Sequence, residues 1–439
     1  MQIECFPDAP AEWPRKVFAD IAGVNPKYGL KKSTDYPFIE MAAVAENFGG
    51  IISFDYRKAD ASGLARFKVG DILFGKITPC AENGKVALVK DLPLEFGLGS
   101  TEFIVLSPCN GNDRRFVYAI ACANPVHGRA VSRMEGSTGR LRVTEDVFTK
   151  WLVVAAPPEP EQRAIADILN EVDAAIERTR TAIEKARRLK RGLMQRFFEV
   201  ALGPISSADR PGRRVKPGWR LLPTGSLLDA EPKNGYSPEC SPQPPGYPTF
   251  SIGAVRNGKI DLKNHEHLKY SRISDALAEK FAVRKGDILI VRGNANPDLV
   301  GKCGVIDEFP TGCIYSDILK RVSFRDTDDG VMPTYAALVW NHFLVHNQVL
   351  KLAKTSNGTL KINSRDVKRI VMPVPPRNEQ IRLVDMVQAA EDQIQTIIAK
   401  LRSLERLKRG LMQDLLTGKR RVPVTNTADT NTMAKLQPA

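Results

Sequence analysis

The chain has 439 residues, 43% hydrophobic and 26% charged, a balance that argues against wholesale disorder and a length that allows two or three domains of roughly 100–200 residues. A formal net charge of +14 favours a polyanionic partner, nucleic acid being the commonest. No apolar run reaches the ~18 residues of a membrane helix, "MQIECFPDAPAEWPRK" is no secretory leader, and a cytoplasmic location is expected.

Residues 1–156 mix short apolar runs with Gly-Asp and Asn-Gly punctuation, the pattern of short strands and tight turns. "YPFIEMAAVAENFGGI" from Tyr36, "KVGDILFGKI" from Lys68 and "STGRLRVTEDV" from Ser137 mark this segment. Residues 157–202 read as one long helix, with prolines at its start, where a missing N–H does no harm. Its apolar stripe runs Ile165, Leu169, Val172, Ile176, Thr179, Ile183, Ala186, Lys190, Leu193, Phe197. Alternating steps of four and three give a 3.5-residue period, the signature of a coiled-coil seam. Residues 203–374 repeat the first segment's signals loosely, in "YPTFSIGAVRNGKI" from Tyr247, "RKGDILIVRG" from Arg284 and "SNGTLKINSRDV" from Ser356. Within them "YAALVWNHFLVHNQVL" reads as one amphipathic helix. Residues 375–421 form a second long helix, with the stripe Leu383, Val387, Ala390, Ile394, Ile397, Leu401, Leu404, Lys408, Leu411, Leu415. The polar tail, residues 422–439, is expected to be disordered.

The two helical segments align without a gap at an offset of 218 residues (375 − 157). The starts "PPEPEQ" and "PPRNEQ" coincide, as does the octapeptide "RLKRGLMQ" at Arg188–Gln195 and Arg406–Gln413. A lysine interrupts each seam at the same place, Lys190 and Lys408. Helical glycine costs about 1 kcal/mol relative to alanine, so Gly192 and Gly410 suggest close approach by another helix, either the mate or a partner protein. Some 40 helical residues span roughly 60 Å, and so long a stripe must be covered. The expected fold is α+β: two mixed α/β globular units alternating with two long helices that pair as an antiparallel coiled coil. Helices kept alike imply a shared job, and diverged globular units imply two different ligands of one kind.

Signatures of catalysis are missing. There is no GxxxxGK[ST] phosphate loop and no Gly-x-Ser-x-Gly elbow. "FGLGS" (Phe96–Ser100) lacks the strand and acidic spacing of a methyl-donor glycine turn and reads as a plain turn. His342 and His346 lie one helical turn apart, but no glutamate follows the first and no third ligand is evident, so both read as packed or surface histidines. "HEH" at His265–His267 is weaker still, and "EPK" at Glu231–Lys233 lacks the upstream aspartate of a nuclease centre. The seven cysteines are scattered without a CxxC pair, as befits reduced thiols. No catalytic residue and no metal ligand is assigned.

The order of globular unit, long helix, globular unit and matching helix resembles the specificity subunit of type I restriction-modification systems. The paired "PPxxEQ" starts, the heptads, the twin octapeptides and the "GTLK"-like strand before each proline pair carry the resemblance over nearly the whole chain. It implies that residues 1–156 and 203–374 are target recognition domains, each reading one half of a bipartite double-stranded DNA target. The helices 157–202 and 375–421 would set the spacing and dock one methyltransferase (modification) subunit each. Motor-nuclease (restriction) subunits would complete the enzyme, with no membrane involved. The chain itself would be non-catalytic and bind no cofactor, S-adenosylmethionine, ATP and Mg residing on the partner subunits. Candidate DNA contacts are Lys76, Thr78, Asn83, Ser137, Thr138 and Arg140 in the first domain, and Arg292, Asn294, Asn296, Ser356, Asn357 and Thr359 in the second. Docking candidates are Glu161, Gln162, Gly192, Leu193 and Met194, with Glu379, Gln380, Gly410, Leu411 and Met412 in the second copy. The alternatives are a stand-alone DNA-binding or architectural protein and an enzyme with an unfamiliar active site.

Overall fold

The computed structural model describes residues 2–59, 63–109, 111–137, 139–203, 215–256, 258–261, 268–356 and 358–423. They form two compact units, Met1–Ala182 with Ile397–Ala439, and Ile183–Thr396. Both are mixed α/β, and each takes in part of both long helices.

In the first unit an antiparallel sheet is ordered Ala22–Val24, Phe103–Pro108, Ile72–Gly75, Val86–Leu88. Successive side chains of a strand face opposite ways. Ile72 and Phe74 therefore enter one apolar core while Leu73 enters another, and all three are fully buried. A second sheet runs Asp55–Lys58, Asp35–Ile39, Phe96–Gly99, Ala65–Lys68, with its middle two strands parallel. "FGLGS" is thus mostly strand rather than the plain turn expected. A Cβ on Gly97 would meet the Phe67 ring at 2.5 Å, so this glycine makes room for a core aromatic.

The second unit repeats the device. Ile288 and Ile290 enter one core, Leu289 and Val291 the other. Their strand, Ile288–Val291, lies in a sheet ordered Lys233–Asn234, Leu319–Val322, Ile288–Val291, Cys303–Val305, Gly258–Ile260, Val255–Arg256. A parallel pair again occurs next door, Tyr247–Phe250 with Ile314–Tyr315. The shared "GDIL" start has one local cause in both units. Gly70 (φ +100°) and Gly286 (φ +85°) turn the chain, and the following aspartate accepts the backbone N–H three residues back, Lys68 N at 2.9 Å and Arg284 N at 2.8 Å.

The stretch "YAALVWNHFLVHNQVL" is two helices rather than one, Pro333–Trp340 and Phe343–Leu352. Asn341 breaks it: its Nδ2 donates to Cys303 O at 2.9 Å and its Oδ1 accepts from Cys303 N at 3.0 Å. His342 then caps the second helix through Nδ1 and packs on Phe198, with ring centroids 4.9 Å apart.

The long helices are Glu159–Leu202 and Arg377–Leu416. Every stripe position named above is buried or half-buried. Within the first unit, Asp173 pairs with Lys408 at 2.6 Å and Arg180 with Glu405 at 3.2 Å, so rising numbers on one helix meet falling numbers on the other. Within the second, Lys190 pairs with Glu391. Among the described residues no helix is long and apolar enough to cross a membrane. Of the tail, Val422 packs against the first unit's core, and residues 424–439 lie outside the described residues, as does "HEH".

Candidate nucleic-acid interface

The two stretches singled out in each globular segment are cross-bonded. In the first unit Val143 N donates to Lys76 O at 2.8 Å and Thr78 N to Leu141 O at 3.0 Å. In the second, Ile362 N donates to Arg292 O at 2.9 Å, and Asn294 pairs with Leu360 in antiparallel register. Lys76 N donates to Glu102 O and Arg292 N to Ile318 O, both at 2.9 Å. Lys76 and Arg292 therefore hold one backbone position, just past equivalent strands, each half-buried.

The side chains around that position differ. In the first unit Thr78 Oγ1 donates to Glu82 and Asn83 Nδ2 to Glu46, both at 2.8 Å, so these two candidates are engaged by carboxylates of their own surroundings. Ser137 and Arg140 are exposed, and Thr138 lies outside the described residues. The residue missed is Arg142, which holds Glu102 through two bonds of 2.9 and 2.8 Å. That bidentate bond keeps the Glu102 carboxyl below the usual carboxylate range and raises the guanidinium in turn.

In the second unit Asn294 Oδ1 accepts from Asn296 N at 2.8 Å, and Asn296 Oδ1 accepts from Asp298 N at 2.9 Å. These are two successive Asx turns, which shape the loop and leave the amide nitrogens out of it. Thr359 is half-buried and pairs with Ser356 in a tight hairpin, while Asn357 lies outside the described residues. Here the residue missed is Lys320, only 2% exposed, whose Nζ donates to Asn234 Oδ1 at 2.5 Å and Ser364 Oγ at 2.8 Å. Burial, with Arg292 nearby, pulls its ammonium down to about 8 against the opposing pull of Asp366. A lysine inside the strand run "ILKRV" was the only sequence hint.

The helix candidates separate into three groups. Four are clamps within their own unit, their side chains bonded inside it. Gln162 donates to Pro157 O at 2.8 Å and accepts from Asp113 N at 3.0 Å; Gln380 donates to Pro375 O at 3.1 Å and accepts from Met332 N at 2.9 Å. Glu161 accepts from the Trp13 indole at 3.2 Å and Glu379 from the Trp219 indole at 3.1 Å. Each "PPxxEQ" thus fastens a helix start to its own globular part. Leu193, Leu411, Met194 and Met412 are half-buried along the helices, with Met194, Leu411 and Met412 packed against the apolar cores. Gly192 and Gly410 are exposed, and a Cβ at either would meet no atom within 4 Å. The mate helix therefore does not approach at these glycines, contrary to one of the two reasons expected for them. Beside them stand two residues that the stripe reading overlooked, Leu189 and Leu407, equivalent in the duplication and 61% and 50% exposed.

The Type I restriction modification DNA specificity domain matches residues 18–186. The chain is 25% identical over 264 residues to the type I restriction enzyme EcoKI specificity subunit of Escherichia coli (strain K12), covering 57% of the chain and 54% of that protein. It is 21% identical over 475 residues to the EcoEI specificity subunit of Escherichia coli, covering 87% of the chain and 78% of that protein. It is 23% identical over 441 residues to the putative MjaX specificity subunit of Methanocaldococcus jannaschii, covering 94% and 95%. Among solved structures it is similar to a chain of a type I R-M system, with TM-score 0.54, 20% identity and coverage of 94% and 99%. The type-I restriction-modification system S subunit from M. genitalium also has TM-score 0.54, with 14% identity and coverage of 92% and 96%. At these identities the structural likeness speaks for the fold alone.

Proposed function

We propose that this chain is a DNA-specificity subunit of a type I restriction-modification system and selects the DNA sites at which partner enzymes methylate or cut. One observation carries the division of labour. The platform around Lys76 and the platform around Arg292 share their backbone bonds and differ in nearly every side chain. Two readers built on one frame suit a bipartite target with unlike halves, and the charge of +14 suits a polyphosphate. Residues 1–156 and 203–374 are the readers, through Lys76, Arg140 and Arg142 in one and Arg292, Asn294, Asn296 and Thr359 in the other. The helices pair along their length as an antiparallel coiled coil, and their length sets the gap between half-sites, which lie about 10 base pairs apart if both face one side of the duplex.

Gly192 with Leu189, and Gly410 with Leu407, are the two docking positions, one for each of two methyltransferase subunits. Bare backbone beside an exposed leucine admits a partner helix closely. Motor-nuclease subunits join that core. S-adenosylmethionine, ATP and Mg are held by the partners in the cytoplasm, and this chain carries out neither chemical step.

The decisive experiment co-expresses the chain with its methyltransferase subunit and maps modified bases across a genome. A split motif is expected, and an absence of chain-dependent methylation would sink the reading. Lengthening both helices by one heptad, ~10 Å, should change the gap and leave both half-sites intact. Gly192→Leu and Gly410→Leu should each lower the amount of methyltransferase that copurifies, with the globular parts still folded.

A further inference from the structure

We infer that Lys233, Lys280 and Tyr236 form a phosphate-binding site of the second unit, which anchors the duplex backbone beside Arg292 without reading sequence. The inference rests on the function proposed above and adds the place where one strand of the backbone is gripped.

The three residues meet on one aromatic ring. Phe281 ends the helix Asp275–Phe281, and Tyr236 stacks on it with ring centroids 5.5 Å apart and planes 14° from parallel. The Lys233 ammonium lies 4.8 Å from the Phe281 centroid and that of Lys280 5.7 Å. Lys233 Nζ also donates to Lys280 O at 2.7 Å, which fixes its place and leaves two N–H donors for a ligand. A ring face attracts a cation by only about 0.5–1 kcal/mol at an exposed site, and it cancels no charge.

Among the described residues no carboxylate offsets these two lysines. Burial pulls the Lys233 ammonium below its ordinary range, and the Arg321 and Lys280 cations push the same way with no acid opposing them. Of the three cations only Arg321 reaches an acid, Asp287 at 3.8 Å. Tyr236 is 38% exposed, and its hydroxyl has no hydrogen-bond partner among the described residues. Like charges held together at a cost to the fold are relieved when a polyanion supplies the missing charge.

The first unit is built otherwise at this strand edge. Ala22–Val24 flanks Phe103–Pro108 as Lys233–Asn234 flanks Leu319–Val322. The tyrosine that follows there, Tyr28, also packs on a phenylalanine, Phe96, with the Lys68 ammonium 5.7 Å from its own ring. Tyr28, however, gives its hydroxyl to Asp71 at 2.9 Å, so the protein itself supplies the negative charge that the second unit lacks.

The site is also well placed for a duplex. Lys233 sits opposite Arg321, and Arg321 opposite Leu289, three residues before Arg292. Two strands across and three residues along is about 14 Å by strand geometry. A DNA major groove is about 12 Å wide, so a side chain at Arg292 can meet a base while these lysines meet a flanking phosphate.

The test uses the full chain assembled with its methyltransferase and a duplex bearing the mapped split motif, with affinity followed from about 50 to about 200 mM salt. Lys233→Met/Lys280→Met should lower the slope of log affinity against log salt by about 2, since each phosphate contact contributes about 0.9. The loss should be equal for the matched duplex and for duplexes with single base changes in either half-site. Tyr236→Phe keeps the stack and should weaken binding about fivefold with the slope unchanged, because a hydroxyl releases no counterion. Lys285→Met is the control: its ammonium already pairs with Asp307 at 3.1 Å, and the slope should stay. The melting temperature of the double variant should hold or rise, and a fall would make the lysines structural and overturn the inference. An unchanged slope in that variant, an equal drop in Lys285→Met, or a loss confined to one base position would overturn it too. So would a slope that holds while less methyltransferase copurifies, which assigns the patch to an acidic protein surface. If the unmodified complex binds its motif no better than unrelated duplex, the proposed function fails, whatever the lysines do to the slope.

Discussion

Lys76 and Arg292 occupy one backbone position in two electrostatic settings. Around Lys76 a carboxylate and a guanidinium, Glu102 and Arg142, neutralise each other near the surface. Near Arg292 the cation is inside: Lys320 is buried and hydrogen-bonded to two neutral oxygens. The backbone bonds beneath are the same in both. Buried N–H and C=O groups must be paired, so the frame resists change, whereas the side chains projecting from it were free to diverge. One duplicated frame thus carries two chemically different surfaces.

The comparison can be broken most forcefully at the cores. Phe198 and Leu416 are equivalent in the duplication and both fully buried, one in each unit. Phe198→Ala should destabilise the second unit by about 3–5 kcal/mol and Leu416→Ala the first by about 2–5 kcal/mol. Hydrogen exchange resolved by segment checks this, and equal loss of protection in both units would refute separate cores. Next come the platforms. Arg142→Ala and Arg292→Ala should each cost about 1–3 kcal/mol of binding at one position of one half-site, read by competition with substituted duplexes. A uniform loss across all sequences would assign the residue to phosphate instead.

Titration sharpens the contrast further. The Lys320 ammonium is pulled to about 8, below the ~10.4 of an unfolded chain, so the unfolded state binds more protons between those values. The penalty is complete below about pH 8 and fades as pH rises. Lys320→Met should therefore be the more stable protein at pH 7, with the difference closing toward about pH 10.4 in denaturant titrations. Burial likewise pulls His342 to about 4, from ~6.5 when unfolded. Stability from its neutral form is lost as pH falls through that window, and His342→Asn should lose less over the same range. The smallest effect is at the helical glycines. Since nothing lies within 4 Å of a Cβ at either, Gly192→Ala and Gly410→Ala should each stabilise the free chain by up to about 1 kcal/mol, measured by urea unfolding.

Much of the fold was legible because its determinants are local. The 3.5-residue stripe names positions that are all buried or half-buried, and the proline pairs stand just ahead of Glu159–Leu202 and Arg377–Leu416. The "GDIL" turns were legible for the same reason, being set by a glycine and by an aspartate three residues from its partner. Elements decided at a distance were not. "FGLGS" is strand because Phe67 fills the space above Gly97, and one expected helix is two because Asn341 bonds the Cys303 backbone. The candidate site followed the same rule. Its two loops were named separately, and the bonds joining them span 67 residues in one unit and 70 in the other (143 − 76 and 362 − 292).

By itself the sequence determined that the chain is duplicated, that two long helices follow two strand-rich segments, and that each helix carries the same lysine and glycine. Periodicity and identity at a fixed offset are properties of the string, so they need no coordinates. Only the tertiary structure decided what those shared residues touch. Glu161 and Gln162 turned inward to clamp a helix start, Lys408 crossed to Asp173, and Gly192 was left facing open space. Each outcome involves a partner more than 40 residues away, as Asp113 is for Gln162, or the absence of one, and local pattern carries no information about either.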